Sequence, residues 1–263
     1  MQDRSHRAGF RYQESSRAPV SDFVANETPL NTTCDGPDGR LYGTLMRTPG
    51  DDKPLILGLM TGEGDLLCDD TLPEIQCQDG NVHVTWSGTP SRRSLDSTAA
   101  CGMCGRDEIQ IVPIEGCGAM PEVKVDNTII HSISIMEPED TSLYSVTGSS
   151  HSATSYTLSG DMVQTMEDVG RHNAMDKLVG IHRIDSDWPM NKHIVSLSGR
   201  VSFEMVEKAV RSNVPILMSV GGATSAAIDL AAFHDLTLIV FAREGRFTVM
   251  TGAHRIVHDE SVK

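Results

Sequence analysis

The most constraining stretch of the chain is its last third, where two similar units follow one another. His193-Ile-Val-Ser-Leu-Ser reads as a short apolar strand, Gly199-Arg200 as a loop, and Phe203, Met205, Val206 and Ala209 as a helix that the Ser202 hydroxyl can cap. Pro215-Ile-Leu-Met-Ser-Val repeats the strand, Gly221 to Ser225 the loop and Ala226 to Phe233 the helix, and Leu236 to Ala242 supplies a third strand. Parallel neighbours need crossovers, so this order predicts an α/β unit with a mainly parallel sheet covered by helices. Ligands of such sheets gather at the carboxyl ends of the strands, beside loops and helix N-termini. Those ends carry Ser198-Gly199-Arg200, Gly221-Gly222-Ala223-Thr224-Ser225 and Arg243-Glu244-Gly245-Arg246.

Upstream, the patterning changes twice. Residues 1–28 are rich in Arg, Ser and Gln without an apolar period, and read as a flexible arm. Residues 29–125 carry short apolar runs, Leu41 to Met46 and Val82 to Trp86 among them, between Gly, Pro and Asp clusters, which predicts a smaller β-rich domain. Leu55 to Leu67 fits a helix or strands equally. From 126 to 263 the α/β domain follows. Its first part predicts strands over Ser142–Gly148 and Ser155–Met166, then a helix over Asp168–Val179.

Lysine and arginine number 22 against 36 aspartates and glutamates, a net charge of −14 over 263 residues. That balance argues against a general nucleic-acid or anionic-membrane surface. Residues 165–263 hold 11 basic and 12 acidic groups, so the acidity sits in the first part and the second is free to meet an anion. No secretory leader and no long apolar run is visible, which predicts a cytoplasmic protein with reduced cysteines.

The six cysteines include one closely spaced pair, Cys101-Gly-Met-Cys104-Gly. Such a pair suits disulfide exchange, half a zinc site or a persulfide. A regular zinc site wants a second pair, and only Cys117 follows, so Cys101, Cys104 and Cys117 with a histidine would make an irregular one. A zinc deaminase needs His-x-Glu before its Pro-Cys-x-x-Cys; here the pair comes first and His151-Ser-Ala lacks the glutamate. A thioredoxin-like pair would sit at the βαβ unit, and this one lies well upstream. A second cluster, Glu167-Asp-Val-Gly-Arg171-His172-Asn-Ala-Met-Asp176-Lys177, offers Arg171 and His172 to an anion, with Asp176 and Lys177 read as exposed helix charges. His151 is open to a proton-carrying or a structural role, and Cys34, Cys68 and Cys77 read as structural.

Together, the Cys101–Gly105 segment, the Glu167–Lys177 motif, Ser198-Gly-Arg-Val-Ser-Phe-Glu-Met-Val206 and Phe241-Ala-Arg-Glu-Gly-Arg-Phe247 resemble the formate dehydrogenase accessory sulfurtransferase family. The resemblance implies a cytoplasmic, homodimeric sulfurtransferase. It would take sulfur from a cysteine desulfurase and pass it to the molybdenum or tungsten cofactor of formate dehydrogenase. It implies a persulfide on Cys101 with Cys104 assisting or resolving. It also implies binding of the bis(molybdopterin guanine dinucleotide) cofactor by Phe241, Ala242, Arg243, Glu244, Gly245 and Arg246, with no permanent metal. The implied fold is a cytidine-deaminase-like three-layer domain. Two other readings are a cofactor chaperone that moves no sulfur and a structural zinc protein.

Overall fold

A computed structural model describes residues 3–14, 16–37, 39–90, 111–136 and 142–258. Strands β1 (Arg4–Gln13) and β2 (Ser16–Ala25) pair antiparallel as a hairpin with most side chains exposed. The arm expected without regular structure is therefore a β-ribbon. Its apolar side chains Phe10 and Tyr12 lie under the Arg17 guanidinium, 3.7 and 5.7 Å from the ring centroids, cation–π contacts that a search for apolar periodicity does not register.

Next come β3 (Thr28–Cys34), β4 (Arg40–Arg47), α1 (Asp52–Glu63), β5 (Glu74–Gln78) and β6 (Asn81–Thr85). The four strands form one sheet in the order β4-β3-β6-β5. The ambiguous run after Asp51 is helical. Every residue from Pro54 to Gly62 is buried, so α1 has no polar face for a periodicity search to find. One side of α1 meets the small sheet, where Leu55, Ile56, Leu57 and Met60 pack with Leu30, Val82 and Val84.

The remaining elements are β7 (Val125–Asp126), α2 (Asn127–Ser134), α3 (Leu143–Thr147), β8 (His151–Thr157), β9 (Met162–Asp168), α4 (Arg171–Ile184), β10 (His193–Leu197), α5 (Phe203–Arg211), β11 (Ile216–Ser219), α6 (Ser225–Phe233), β12 (Thr237–Arg243), β13 (Arg246–Thr251) and β14 (Ile256–Val257). Six strands make the main sheet in the order β13-β12-β11-β10-β8-β9. Only β10, β11 and β12 run parallel; β8, β9 and β13 join antiparallel. The expectation of a mainly parallel sheet is corrected to a mixed one, because the edges are hairpins. Residues alternate between two cores: Val195, Leu217, Leu238 and Val240 face α4, α5 and α6, whereas Ile194, Ile216, Met218 and Ile239 face α2. Both faces are covered, which is why these strands read as continuous apolar runs.

The segment read as a strand at Ser142–Gly148 is the short helix α3. Ser142 Oγ accepts from Ser145 N at 3.0 Å, and the Glu167 carboxylate accepts from Leu143 N and Tyr144 N at 2.7 and 2.9 Å. Local capping plus a distant carboxylate thus satisfy the amides that a strand would have paired.

Helices α1 and α4 join the two units at close range. A Cβ on Gly58 would lie 1.7 Å from the Asp176 carbonyl oxygen, and one on Gly180 would lie 1.9 Å from that of Pro54. Only glycine at both positions lets the backbones approach this far. The charges read as exposed on α4 are buried at this junction. Lys177 Nζ meets Asp168 Oδ2 at 2.8 Å, and Lys208 Nζ pairs with Asp176.

A disulfide joins Cys68 to Cys117 across a sequence separation of 49. This corrects the expectation that the cysteines are all reduced. The closed loop contains, in sequence, Cys101 and Cys104, which lie outside the described residues. No helix among the described residues is long and apolar enough to cross a membrane.

Candidate functional site

All strands of the main sheet contribute to one rim at the carboxyl ends of β10, β11 and β12. After β10, Ser198-Gly199-Arg200 turns toward α5; after β11, Gly221 to Thr224 turns toward α6; β12 passes directly into β13. Val201 N donates to Gly222 O at 3.0 Å and Thr224 N to Val201 O at 3.1 Å, tying the first two loops together. Ser219 Oγ donates to Gly199 O and accepts from Gly221 N at 3.0 Å, so one buried hydroxyl holds both turns.

The Phe241–Arg246 segment is the β12–β13 hairpin. Arg243 pairs with Arg246, and Glu244 and Gly245 between them have φ of 55° and 74°, the positive values that a primed two-residue turn requires. Phe241 also sits at φ 53°, with its amide donating to Gly221 O at 2.9 Å. Its half-exposed ring lies over Gly222, where a Cβ would come within 3.1 Å of Phe241 Cζ. A non-glycine residue held at positive φ stores strain, and such strain collects at binding sites. Ala242 turns its methyl group into the core, leaving only its backbone for a ligand. Glu244 pairs with Arg246 at 3.5 Å, with both side chains exposed. Arg243 is exposed beside them.

On the other side of the rim stand His151, at the start of β8, and Arg171, at the start of α4. Arg171 Nε is buried with no hydrogen-bond partner among the described residues. A Cβ on Gly199 would lie 3.4 Å from His151 Nδ1 and 3.5 Å from Arg171 Cδ, so this glycine leaves room for both side chains. Arg171 takes its place from Asp168, whose Oδ1 accepts from Gly170 N and Asn173 Nδ2, both at 2.9 Å. His172, also proposed from sequence, is buried and meets Glu204 Oε2 at 2.9 Å, so it orders α4 against α5. Ser202 precedes α5 without capping it, and Gly170 precedes α4 without a side-chain cap. Arg171, Arg200, Arg243 and Arg246 gather at this edge beside two helix N-termini without side-chain caps, with Glu244 paired to Arg246 and Glu204 in the first turn of α5. The donor set suits phosphates: an unpartnered guanidinium nitrogen and glycine-lined backbone admit oxygen atoms that larger side chains would exclude.

Burial, and next the Arg171 guanidinium, hold the His151 imidazole below its ordinary value of 6.5, with Asp168 pulling the other way. The unfolded chain therefore takes up this proton first, so the stability contributed by neutral His151 is full above pH 6.5 and is lost as pH falls from there through the lower value of the folded state. Arg171→Gln removes a cationic neighbour, and the His151 midpoint, followed by the imidazole carbon-bound proton in NMR, is expected to rise while staying under 6.5 because burial remains. A midpoint that does not move would separate the two side chains.

The structure thus brings the sequence-derived loops together with Phe241, Arg243, Glu244, Gly245 and Arg246. Cys101 and Cys104 lie outside the described residues. What sequence reasoning missed is the Ser219 hydroxyl, which carries no motif, and the orphaned Nε of Arg171.

A family model described as the FdhD/NarQ family matches residues 25–257. The sulfur carrier protein FdhD of Sulfurisphaera tokodaii is 32% identical over 251 residues, covering 94% of this chain and 97% of that one. Its namesake in Streptomyces avermitilis is 31% identical over 265 residues, covering 94% and 93%. A solved structure from Desulfotalea psychrophila, named for a formate dehydrogenase accessory role, superposes with a TM-score of 0.76 at 23% identity, over 97% of this chain and 99% of that one. That last likeness shows the mixed α/β fold.

Proposed function

Because the chain belongs to the FdhD/NarQ family, we propose that it carries sulfur for the maturation of formate dehydrogenase. The observation that carries the reading is the arginine-bearing carboxyl-edge rim, with the unpartnered Nε of Arg171 and the Phe241–Arg246 hairpin, Phe241 at positive φ, beside glycine loops. Such a rim suits a ligand with several phosphates, and the guanine-dinucleotide form of the molybdenum or tungsten cofactor is one. In this reading Arg243 and Arg246 hold phosphate, the Gly245 backbone lets it approach, and the Phe241 ring offers a face for stacking. The scaffold is the deaminase-like one without the deaminase glutamate, working as a homodimer in the cytoplasm.

The sulfur step belongs to the thiol pair. The Cys101 thiolate attacks the outer sulfur of the desulfurase persulfide; a bond to Cys101 Sγ forms as the donor cysteine leaves as a thiolate. Cys104 then attacks Cys101 Sγ and expels the terminal sulfur as hydrosulfide toward the cofactor metal. The Cys101–Cys104 disulfide that remains is reduced by a cellular dithiol. Delivery to formate dehydrogenase follows.

Intact-mass spectrometry without reductant, after incubation with a cysteine desulfurase and cysteine, tests the step. Cys104→Ala, which lacks the resolving thiol, is expected to gain one sulfur atom, and Cys101→Ala none. No gain on Cys104→Ala beside an active desulfurase would instead favour a chaperone that binds the cofactor without moving sulfur. Binding is read separately with guanosine diphosphate: Arg243→Ala is expected to weaken it roughly tenfold or more, the effect of losing one charge-assisted hydrogen bond. Unchanged affinity would place the phosphates elsewhere.

A further inference from the structure

At the opposite end of β10, far along the strand from the rim, three side chains from separate places converge. His182 lies in the last turn of α4, Asp187 in the connection that follows, and His193 opens β10. His182 Nδ1 is 3.2 Å and His193 Nε2 3.0 Å from the same oxygen, Asp187 Oδ2. All three atoms lie within 4.8 Å of one another, and the two rings meet edge-on with centroids 4.7 Å apart. We propose that His182, Asp187 and His193 form a binding site for a divalent transition-metal ion of the zinc type, distinct from the Cys101–Cys104 pair.

The argument begins with the nitrogen lone pairs. Zinc held by nitrogen and oxygen at about 2.0–2.1 Å in a tetrahedron sets its ligand atoms about 3.3 Å apart. The two nitrogen–oxygen separations, 3.0 and 3.2 Å, are within a few tenths of an ångström of that spacing, and the two nitrogens lie within 4.8 Å of each other. Both imidazoles are buried, while Asp187 reaches them from the surface. The outer shell is in place on one side. His182 Nε2 is 2.9 Å from Ser155 Oγ, which is itself 3.4 Å from Gln164 O, a relay that fixes the tautomer leaving Nδ1 for the ion. Without an ion, Asp187 Oδ2 faces both ring nitrogens, and His193 Nδ1 is left buried with no partner among the described residues. Asp187 is half exposed, which gives the ion a path in and leaves a coordination position facing water. Two imidazoles and one carboxylate suit zinc and its neighbours and disfavour magnesium or calcium, which prefer all-oxygen shells. The site goes beyond the sulfur-carrier reading and does not rest on it.

The test uses the full chain carrying Cys101→Ala and Cys104→Ala, so that the thiol pair cannot supply ligands. After chelation and buffer exchange, zinc chloride is titrated by calorimetry, and stoichiometry is read by native mass spectrometry. One zinc per chain is expected. His193→Gln and Asp187→Asn are each expected to lower affinity by roughly 100-fold or more, and Ser155→Ala by roughly tenfold. Magnesium is expected not to compete. Asp187→Asn decides the matter if His193→Gln does not fold, because Asp187 is half exposed and its loss leaves no buried void. The absence of zinc binding would overturn the site, as would unchanged affinity in Asp187→Asn or equal binding of magnesium.

Discussion

Asp168→Ala is expected to lower the free energy of unfolding by about 3–5 kcal/mol, read as a drop in the urea midpoint at unchanged slope. Lys177, 1% exposed, loses the only carboxylate within its reach among the described residues and keeps just the carbonyls of Thr48 and Glu167, at 3.1 and 3.3 Å. Two further donors, Thr48 N and Gly170 N, lose their acceptor at the same time, and Asn173 Nδ2 keeps only Met46 O, at 2.9 Å. The cost arises from stranding a buried charge, so Lys177→Met in the Asp168→Ala background is expected to recover part of it. A loss under about 1 kcal/mol would mean that water reaches the pair. The same substitution loosens Gly170 and Arg171 at the start of α4, so weaker guanosine diphosphate binding should accompany the instability.

Breaking the Cys68–Cys117 bond is the second large effect. Closing a loop with a separation of 49 residues removes chain entropy from the unfolded state worth about 4 kcal/mol in the loop-closure model. Dithiothreitol is expected to lower the melting temperature of wild type by on the order of 10 °C. A Cys68→Ala, Cys117→Ala variant should start at the lower value and ignore the reagent. Insensitivity of wild type to reductant at equilibrium would show that the bond contributes little. The Cys68 carbonyl is held independently by Trp188 Nε1 at 3.0 Å and by Arg183 Nη2 at 3.4 Å, so the local fold survives reduction. This bond also ties down both ends of the stretch of sequence that contains Cys101 and Cys104, linking stability to the proposed sulfur step.

Much of the carboxyl-edge rim was legible because its parts are local. The loops after β10 and β11 announce themselves through glycine between an apolar run and a helix, and a chain of alternating strands and helices must place them on one edge. The Phe241–Arg246 segment was found through its motif, yet its form, a hairpin with Glu244 paired to Arg246, depends on β13 returning alongside β12. The sheet looked more parallel than it is for the same reason: β8, β9 and β13 show no crossover of their own, and antiparallel edges leave no mark in periodicity. At α3, the distant Glu167 carboxylate bound the amides and overrode a strand-like composition.

The sequence by itself determined the strand and helix order of the last third, the glycine loops between those elements, and the thiol pair. Each is written within a few residues, through backbone freedom, apolar period or direct spacing. Tertiary structure alone decided that Lys177 and Asp176 are buried, that Gly58 and Gly180 lie where two helices touch, that Cys68 finds Cys117, and that His182, Asp187 and His193 converge on one oxygen. For the glycines the reason is steric, a close backbone approach that only the packed helices create; for the other three it is common. The free energy of a charge, a thiol or an imidazole is set by what surrounds it once water is removed, and those surroundings arrive from other parts of the chain.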